Sequence, residues 1–497
     1  MRAGDGCAGG ISKMDRQISP RETELRNTLR LAPNDFHASI ELAHSLLNEG
    51  RCWEAVAFAK NATEVRPNDP NGWDLLGTAL TETSPVSGEE PLRRAIYIGS
   101  DWPVRCRLAK CLKRQGRFEE ARLLYQSTPI VSNPHKNGLW ALREWAEMEE
   151  MDGRLKEAED LLMLMLEIDQ EDDDPGIAIC RIRLKAGWKL DNVHYLLQAR
   201  IHKLTAYAMS EKGKILDQMG RYAAAWECFE EGKRLAGGEY QDAIVANLFQ
   251  RLRDFPWDRI KPAATVPGPQ PIFVTGFMRS GTTLAEQILT GHPSIAPGGE
   301  IQAMSNTLAF GGDWEDVSAL RDFYLDDARR ACRPDVMWFT DKMPLNEIYA
   351  PMIRLMFPKS PIIRMIRHPL DVMVSAMAHH AGHGNGCATS LETLALHFKR
   401  VADLTKSFSE TMYQAPYEDL VGYSSVLRGH LFRTVGLSIT DAIPHTQNTR
   451  VPLTPSHEQV KKPLYTTSVD RRKNYRRQLQ PAIDILGPTI ERWGYEL

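Results

Sequence analysis

The feature that most constrains the fold is a recurrence in the first half of the chain. A glycine is followed five residues later by an alanine at Gly50/Ala55, Gly116/Ala121, Gly153/Ala158 and Gly220/Ala225. The glycines lie 66, 37 and 67 residues apart, and Gly187 divides the last interval into 34 and 33. Asn34-Asp35 likewise returns as Asn68-Asp69 after 34 residues. The stretch between these dipeptides, IELAHSLLNEGRCWEAVAFAKNATEVRP, reads as two amphipathic helices meeting at Gly50. A period of this length holds one helix pair. One pair cannot bury its apolar face alone, so successive pairs must stack into a solenoid.

The period and the small residues at helix contacts resemble tetratricopeptide (TPR) repeats. The resemblance implies a right-handed all-α solenoid of about six units, placed at residues 31–253. Residues 1–30, rich in glycine and charge at the start, read as a flexible arm and a leading helix. The concave face of such a solenoid suits a peptide, protein or glycan acceptor. Homodimer formation and rigid packing are the other roles open to it.

Composition narrows the class. With 42% hydrophobic and 25% charged residues the chain reads as globular. A net charge of -3 sets aside a general nucleic-acid surface and leaves room for a local basic cleft. Eight scattered cysteines without a CxxC pair suggest free thiols in a reducing compartment. No apolar run approaches 18 residues, and the first residues lack an apolar signal core. These features point to a cytoplasmic protein without a membrane partner.

Residues 254–270, DFPWDRIKPAATVPGPQ, read as a linker, and 271–497 as a second domain. Short apolar runs at Ile272–Thr275, Val336–Phe339 and Pro361–Ile366 alternate with helical patterns near 283–290, 345–356 and 370–379. That alternation predicts an α/β domain with a mainly parallel central sheet, whose ligands sit at the carboxyl ends of the strands.

The first run leads into Gly276-Phe-Met-Arg-Ser-Gly-Thr-Thr283 and then a helix. A tight loop there points backbone N–H groups inward, and the helix N-terminus adds partial positive charge, so the segment is a phosphate cradle. Its spacing approaches the P-loop of nucleotide hydrolases, but Thr282 stands where lysine would be and the cation is Arg279, inside the loop. Further on, Arg367-His-Pro-Leu-Asp-Val-Met-Val-Ser375 puts an arginine at a strand end and a serine eight residues later on a helix. A guanidinium fork and a hydroxyl can grip a second phosphate.

Together these segments resemble the cofactor motifs of sulfotransferases that use 3′-phosphoadenosine 5′-phosphosulfate (PAPS), similar to protein-tyrosine sulfotransferases with a linked TPR region. The resemblance implies transfer of a sulfuryl group to an acceptor hydroxyl, with release of 3′-phosphoadenosine 5′-phosphate (PAP) and no metal. It implies that Gly276, Arg279, Ser280, Gly281, Thr282 and Thr283 hold the 5′-phosphosulfate, and Arg367 and Ser375 the 3′-phosphate. Glu300, in HPSIAPGGE, resembles the family's catalytic base. Lys342 in Thr-Asp-Lys-Met-Pro resembles its charge-stabilising lysine, and Ser456 in Ser-His-Glu-Gln-Val its transition-state serine. The closing basic run resembles that of TPR-linked sulfotransferases, with Arg471 the best placed to reach the 3′-phosphate, although Asp470 and Arg472 stand where the family often has Gly and Trp. Asp371 reads as a helix cap. A peptide or protein tyrosine is the favoured acceptor. A glycan or small hydroxylated metabolite, a non-catalytic TPR protein that binds PAP, and a nucleotide hydrolase are the alternatives.

Overall fold

A computed structural model describes residues 19–49, 51–83, 85–170, 174–187, 205–301, 303–310, 312–328, 336–379, 386–422, 424–448, 464 and 466–497. The chain divides into two compact units, Met1–Ile215 and Leu216–Leu497.

The first unit is all helix. After Pro20–Leu31 come the pairs Phe36–Asn48 with Cys52–Val65, Pro70–Thr83 with Pro85–Ile98, Trp102–Arg114 with Phe118–Gln126, and Leu139–Met151 with Leu155–Ile168, and then Asp174–Lys185. Each packs mainly on its sequence neighbours, which makes a TPR-like array. The recurring glycine has a local cause: Gly116 and Gly153 follow the first helix of a pair with φ 77° and 83°, a left-handed turn that side chains resist. The alanine five residues on, as at Ala121 and Ala158, is fully buried where two helices approach closely. Charges tie one pair to the next. Arg122, 5% exposed, bonds Glu149 at 2.8 Å and Asp152 at 2.6 Å. Helix starts are set by side chains such as Asp35, which accepts from Ala38 N at 2.9 Å, a cap worth about 1 kcal/mol.

The second unit begins within helix Ala206–Gln218 and takes in two further helices, Tyr222–Ala236 and Asp242–Asp254. Both that pair and residues 254–270 therefore fold with the sheet, and the compact division falls ahead of the 253/254 boundary read from the sequence. The cause is aromatic. Trp226 and Phe229 lie against Tyr475, and Tyr240 and Phe249 against His397.

The sheet has five strands, β1 (Gln270–Gly276), β2 (Ile295–Ala296), β3 (Trp338–Lys342), β4 (Ile362–Ile366) and β5 (Tyr413–Pro416). They run in the order β2-β3-β1-β4-β5, with every pairing parallel. Helices on both faces bury them, which is why β1 and β4 read as continuous apolar runs. β2 is two residues long and β5 ends in proline, so neither carried an alternating pattern. β3 lies two residues later than expected and takes in Lys342. From β1 the chain moves first to β2 and β3 on one side and later to β4 and β5 on the other. That reversal opens a crevice at the carboxyl ends of β3, β1 and β4.

Candidate active site

At the end of β1 the chain turns into helix Thr282–Leu289, with Gly281 as its N-cap. Arg279 takes φ 68°, a left-handed backbone that costs a non-glycine residue about 1 kcal/mol or more. The curled loop closes with Ser280 N donating to Phe277 O at 3.1 Å. Thr282 and Thr283 form the first turn and are buried. Both residues sit at the positive end of the helix dipole, where an anion is favoured. Beneath the loop, the fully buried Glu347 accepts from Thr275 Oγ1 at 2.7 Å and Gly276 N at 3.2 Å. Ser280 Oγ, Glu347 Oε1 and Arg367 Nε have no partner among the described residues, and their residues line a small cavity there, a site with the polar partners a water needs.

Three residues read as phosphate ligands are joined directly. Arg279 Nε donates to Ser375 Oγ at 3.1 Å, and Arg367 Nη1 donates to Arg279 O at 2.9 Å. Arg367 is 6% exposed. Its other contacts are Ser468 O, 2.6 Å from Nη2, and the Tyr417 ring, 4.7 Å from Cζ. Among the described residues no carboxylate pairs with it. A buried guanidinium held by carbonyls and a ring face favours an anion beside it.

Asp371 does not cap its helix. His368 does, through Nδ1, which accepts from Leu370 N at 3.1 Å. Asp371, 1% exposed, accepts from Asp470 N at 2.8 Å and Arg472 N at 2.7 Å, so it grips the C-terminal segment. Asp470 has φ 64°, which explains why glycine would suit this position. Arg471 donates to Asp217 Oδ2 at 2.8 Å. Lys233, from helix Tyr222–Ala236, is 3% exposed, and burial together with the Arg279 charge brings its pKa down to about 8 against a smaller opposing pull from Cys387.

Lys342 is the last residue of β3, in register with Val274 of β1, and is fully buried. Its Nζ meets Glu300 Oε1 at 2.5 Å, while the Glu300 side chain is 33% exposed. The turn that presents Glu300 is fixed from below. Lys342 N donates to Gly299 O at 2.8 Å, and Gly299 N donates to Glu286 Oε1 at 2.9 Å. A Cβ on Gly298 would stand 2.0 Å from Thr340 O, so only glycine lets the turn lie this close to β3. Next to Lys342, burial pushes Asp341 up to about 7 against the opposing Tyr324 hydrogen bond of 2.7 Å. Ser456 lies outside the described residues.

A family model described as the sulfotransferase family matches residues 271–331 and 316–441, the span that holds the loop, Glu300, Lys342, Arg367 and Ser375. The C-terminal region carries a sulfotransferase-family domain. An uncharacterized protein of Aquifex aeolicus (strain VF5) is 30% identical over 250 residues, 44% of this chain and 32% of that protein. A Caenorhabditis briggsae protein provisionally named a protein-tyrosine sulfotransferase is 33% identical over 118 residues, 21% of this chain and 42% of that protein. The chain thus spans less than half the length of these curated relatives. Among solved structures, Pseudomonas aeruginosa PilF (TM-score 0.33, 16% identity) aligns with 45% of this chain and 99% of its own. A TPR protein of Parabacteroides merdae (TM-score 0.37, 14% identity) aligns with 46% and 89%.

Within the sulfotransferase domain, the structure brings Arg279, Arg367 and Ser375 into one bonded group, and Glu300 and Lys342 into another. Sequence reasoning missed Glu347, Glu286 and Lys233. Each is a single charged residue in an ordinary helical or loop context, without a spacing to single it out. No helix among the described residues is long and apolar enough to cross a membrane.

Proposed function

We propose that the chain transfers a sulfuryl group from PAPS to an acceptor hydroxyl, with a peptide or protein tyrosine favoured, and releases PAP. The observation that carries this reading is Arg367, a buried guanidinium with no carboxylate partner among the described residues, hydrogen-bonded to the backbone of the phosphate-loop residue Arg279, whose side chain reaches Ser375. Two cations and a hydroxyl beside a helix N-terminus suit two phosphate groups on one nucleotide. In this reading Ser280, Gly281, Thr282 and Thr283 hold the 5′-phosphate, and Arg367 and Ser375 the 3′-phosphate. PAPS, when bound, supplies the sulfuryl group.

Glu300 takes the proton from the acceptor hydroxyl as its oxygen bonds to sulfur. Lys342 and Arg279 stabilise the charge that develops on the leaving phosphate oxygen as the sulfur–oxygen bond breaks. The 2.5 Å contact with Lys342 orients the Glu300 carboxylate for the acceptor. The first unit presents a peptide, protein or glycan acceptor, or joins two copies, in the same proposal.

Calorimetry with PAP, beside AMP and an Arg367→Ala variant, tests the donor. PAP should bind much more tightly than AMP, and the variant should lose most of that difference. Equal binding of PAP and AMP to the native chain overturns the reading. Labelled PAPS offered with tyrosine peptides, glycans and small phenols then identifies the acceptor.

A further inference from the structure

Residues 468–475 cross the donor site as a strap. On one side the strap is bound to the sulfotransferase elements. Ser468 O takes the bond from Arg367 Nη2, and Ser468 Oγ lies 2.7 Å from Tyr417 Oη. The strap's N–H groups at Asp470 and Arg472 are both held by Asp371. On the other side the strap is bound to the helical segment that opens the second unit. Tyr475, fully buried, contacts the rings of Tyr222 and Trp226 at 5.5 Å each, and its hydroxyl donates to Asp217 Oδ1 at 2.5 Å. Arg471 donates to the other oxygen, Asp217 Oδ2.

One carboxylate thus receives two hydrogen bonds from the strap, one of them from a cation, and charge-assisted bonds are the stronger kind. None of the 3′-phosphate residues touches Asp217 in the described structure. The connection is a chain of bonds, from Asp217 through Arg471 and Tyr475 to the strap, and from Ser468 O to Arg367. Arg367 depends on that carbonyl for its orientation, because its other acceptor among the described residues is Arg279 O in the loop.

We propose that Asp217 is a positioning residue of the donor site, which holds the strap where Ser468 O orients Arg367 for the nucleotide 3′-phosphate. The proposal rests on the PAPS reading above. It assigns the helical segment that opens the second unit a share in donor selectivity, through residues that the phosphate-loop and Arg…Ser motifs do not contain.

The test measures PAP and AMP affinities of the full chain by calorimetry for native protein, Asp217→Ala, Asp217→Asn, Tyr475→Phe and the Asp217→Ala/Tyr475→Phe double variant. Asp217→Ala should weaken PAP about tenfold, or about 1.4 kcal/mol, and leave AMP unchanged, so that the preference for the 3′-phosphate falls. Asp217→Asn should lie between, because it keeps one oxygen. The double variant should match Asp217→Ala, since both changes remove the same tie. Equal losses for PAP and AMP, or a lowered melting temperature with the PAP preference intact, would show a merely structural role and overturn the proposal. Should Asp217→Ala fail to fold, the same comparison is read from Asp217→Asn and Tyr475→Phe, and unchanged selectivity in both overturns it. Native protein that does not distinguish PAP from AMP overturns this proposal and the donor reading together. Selectivity in the native protein that survives in every variant overturns this proposal alone.

Discussion

Two lysines on helices of the two units are buried alike and behave in opposite ways. Lys113, in the first unit, is 6% exposed and meets Glu144 at 2.5 Å and Glu147 at 3.2 Å. Burial works against its charge, but the two carboxylates outweigh it and hold its pKa above the usual lysine value. Lys233, in the second unit, is 3% exposed, and burial and Arg279 both work against its charge. Lys113 lies on the helix before one Gly–Ala signature, Gly116/Ala121, and Lys233 on the helix after another, Gly220/Ala225. What differs is the neighbour. Two carboxylates outweigh burial at Lys113, whereas at Lys233 burial outweighs the pull of Cys387 and the Arg279 charge adds to it.

The largest test of that contrast is Tyr475→Ala. It removes a fully buried ring from among Tyr222, Trp226 and Phe229 and should cost about 3–5 kcal/mol. Denaturant unfolding should show the loss, and hydrogen exchange should confine it to residues 216–497. Glu144→Ala is its counterpart in the repeats. Lys113 would keep only Glu147, and the buried ion pair would be broken at a cost of about 3 kcal/mol. Protection should then be lost from the first unit, while PAP affinity stays unchanged.

Lys233→Met is smaller and carries a sign. In the native chain the folded pKa of about 8 lies below the ordinary 10.5. Between these values the unfolded chain binds more protons, so stability contributed here is absent below pH 8 and rises toward pH 10.5, by on the order of 3 kcal/mol. The variant should flatten that rise in unfolding experiments run across the interval. The corresponding Lys113→Met change acts in the opposite sense. Its raised pKa gives stability that is complete below 10.5 and lost at higher pH.

The finest comparison is between two tyrosines. Tyr475→Phe removes the hydroxyl bond to Asp217 and should cost about 1–2 kcal/mol. Tyr125→Phe, in the repeats, removes a buried hydroxyl without a partner and should be neutral or stabilising. Equal effects in calorimetric melting would erase the distinction between the two helical settings.

Much of this was legible along the chain. Gly116 and Gly153 mark turns because the left-handed backbone is a local requirement. β1 and the loop after it could be read because an apolar run, a glycine-rich turn and a helix start are consecutive in sequence. Arg367 and Ser375 share one strand–helix unit and fixed their own spacing. Where the reading shifted, the cause was distant. Asp371 looked like a cap because nothing local shows that Asp470 and Arg472 bring their N–H groups to it from about a hundred residues away. Nothing local shows that Arg471, read as the best placed to reach the 3′-phosphate, also bonds Asp217 from 254 residues away.

The sequence by itself determined the repeat period, the parallel α/β plan and the residue types that can hold phosphate. These depend on backbone conformation, periodic burial and side-chain chemistry, which act over a few residues. Only the tertiary structure decided that helices Tyr222–Ala236 and Asp242–Asp254 join the sheet-bearing unit, that Arg367 is buried with no carboxylate partner among the described residues, and that Lys342 meets Glu300. Each is set by which charge arrives from a distant segment, and in a buried site that neighbour decides whether a cation is neutralised, depressed or left to bind an anion.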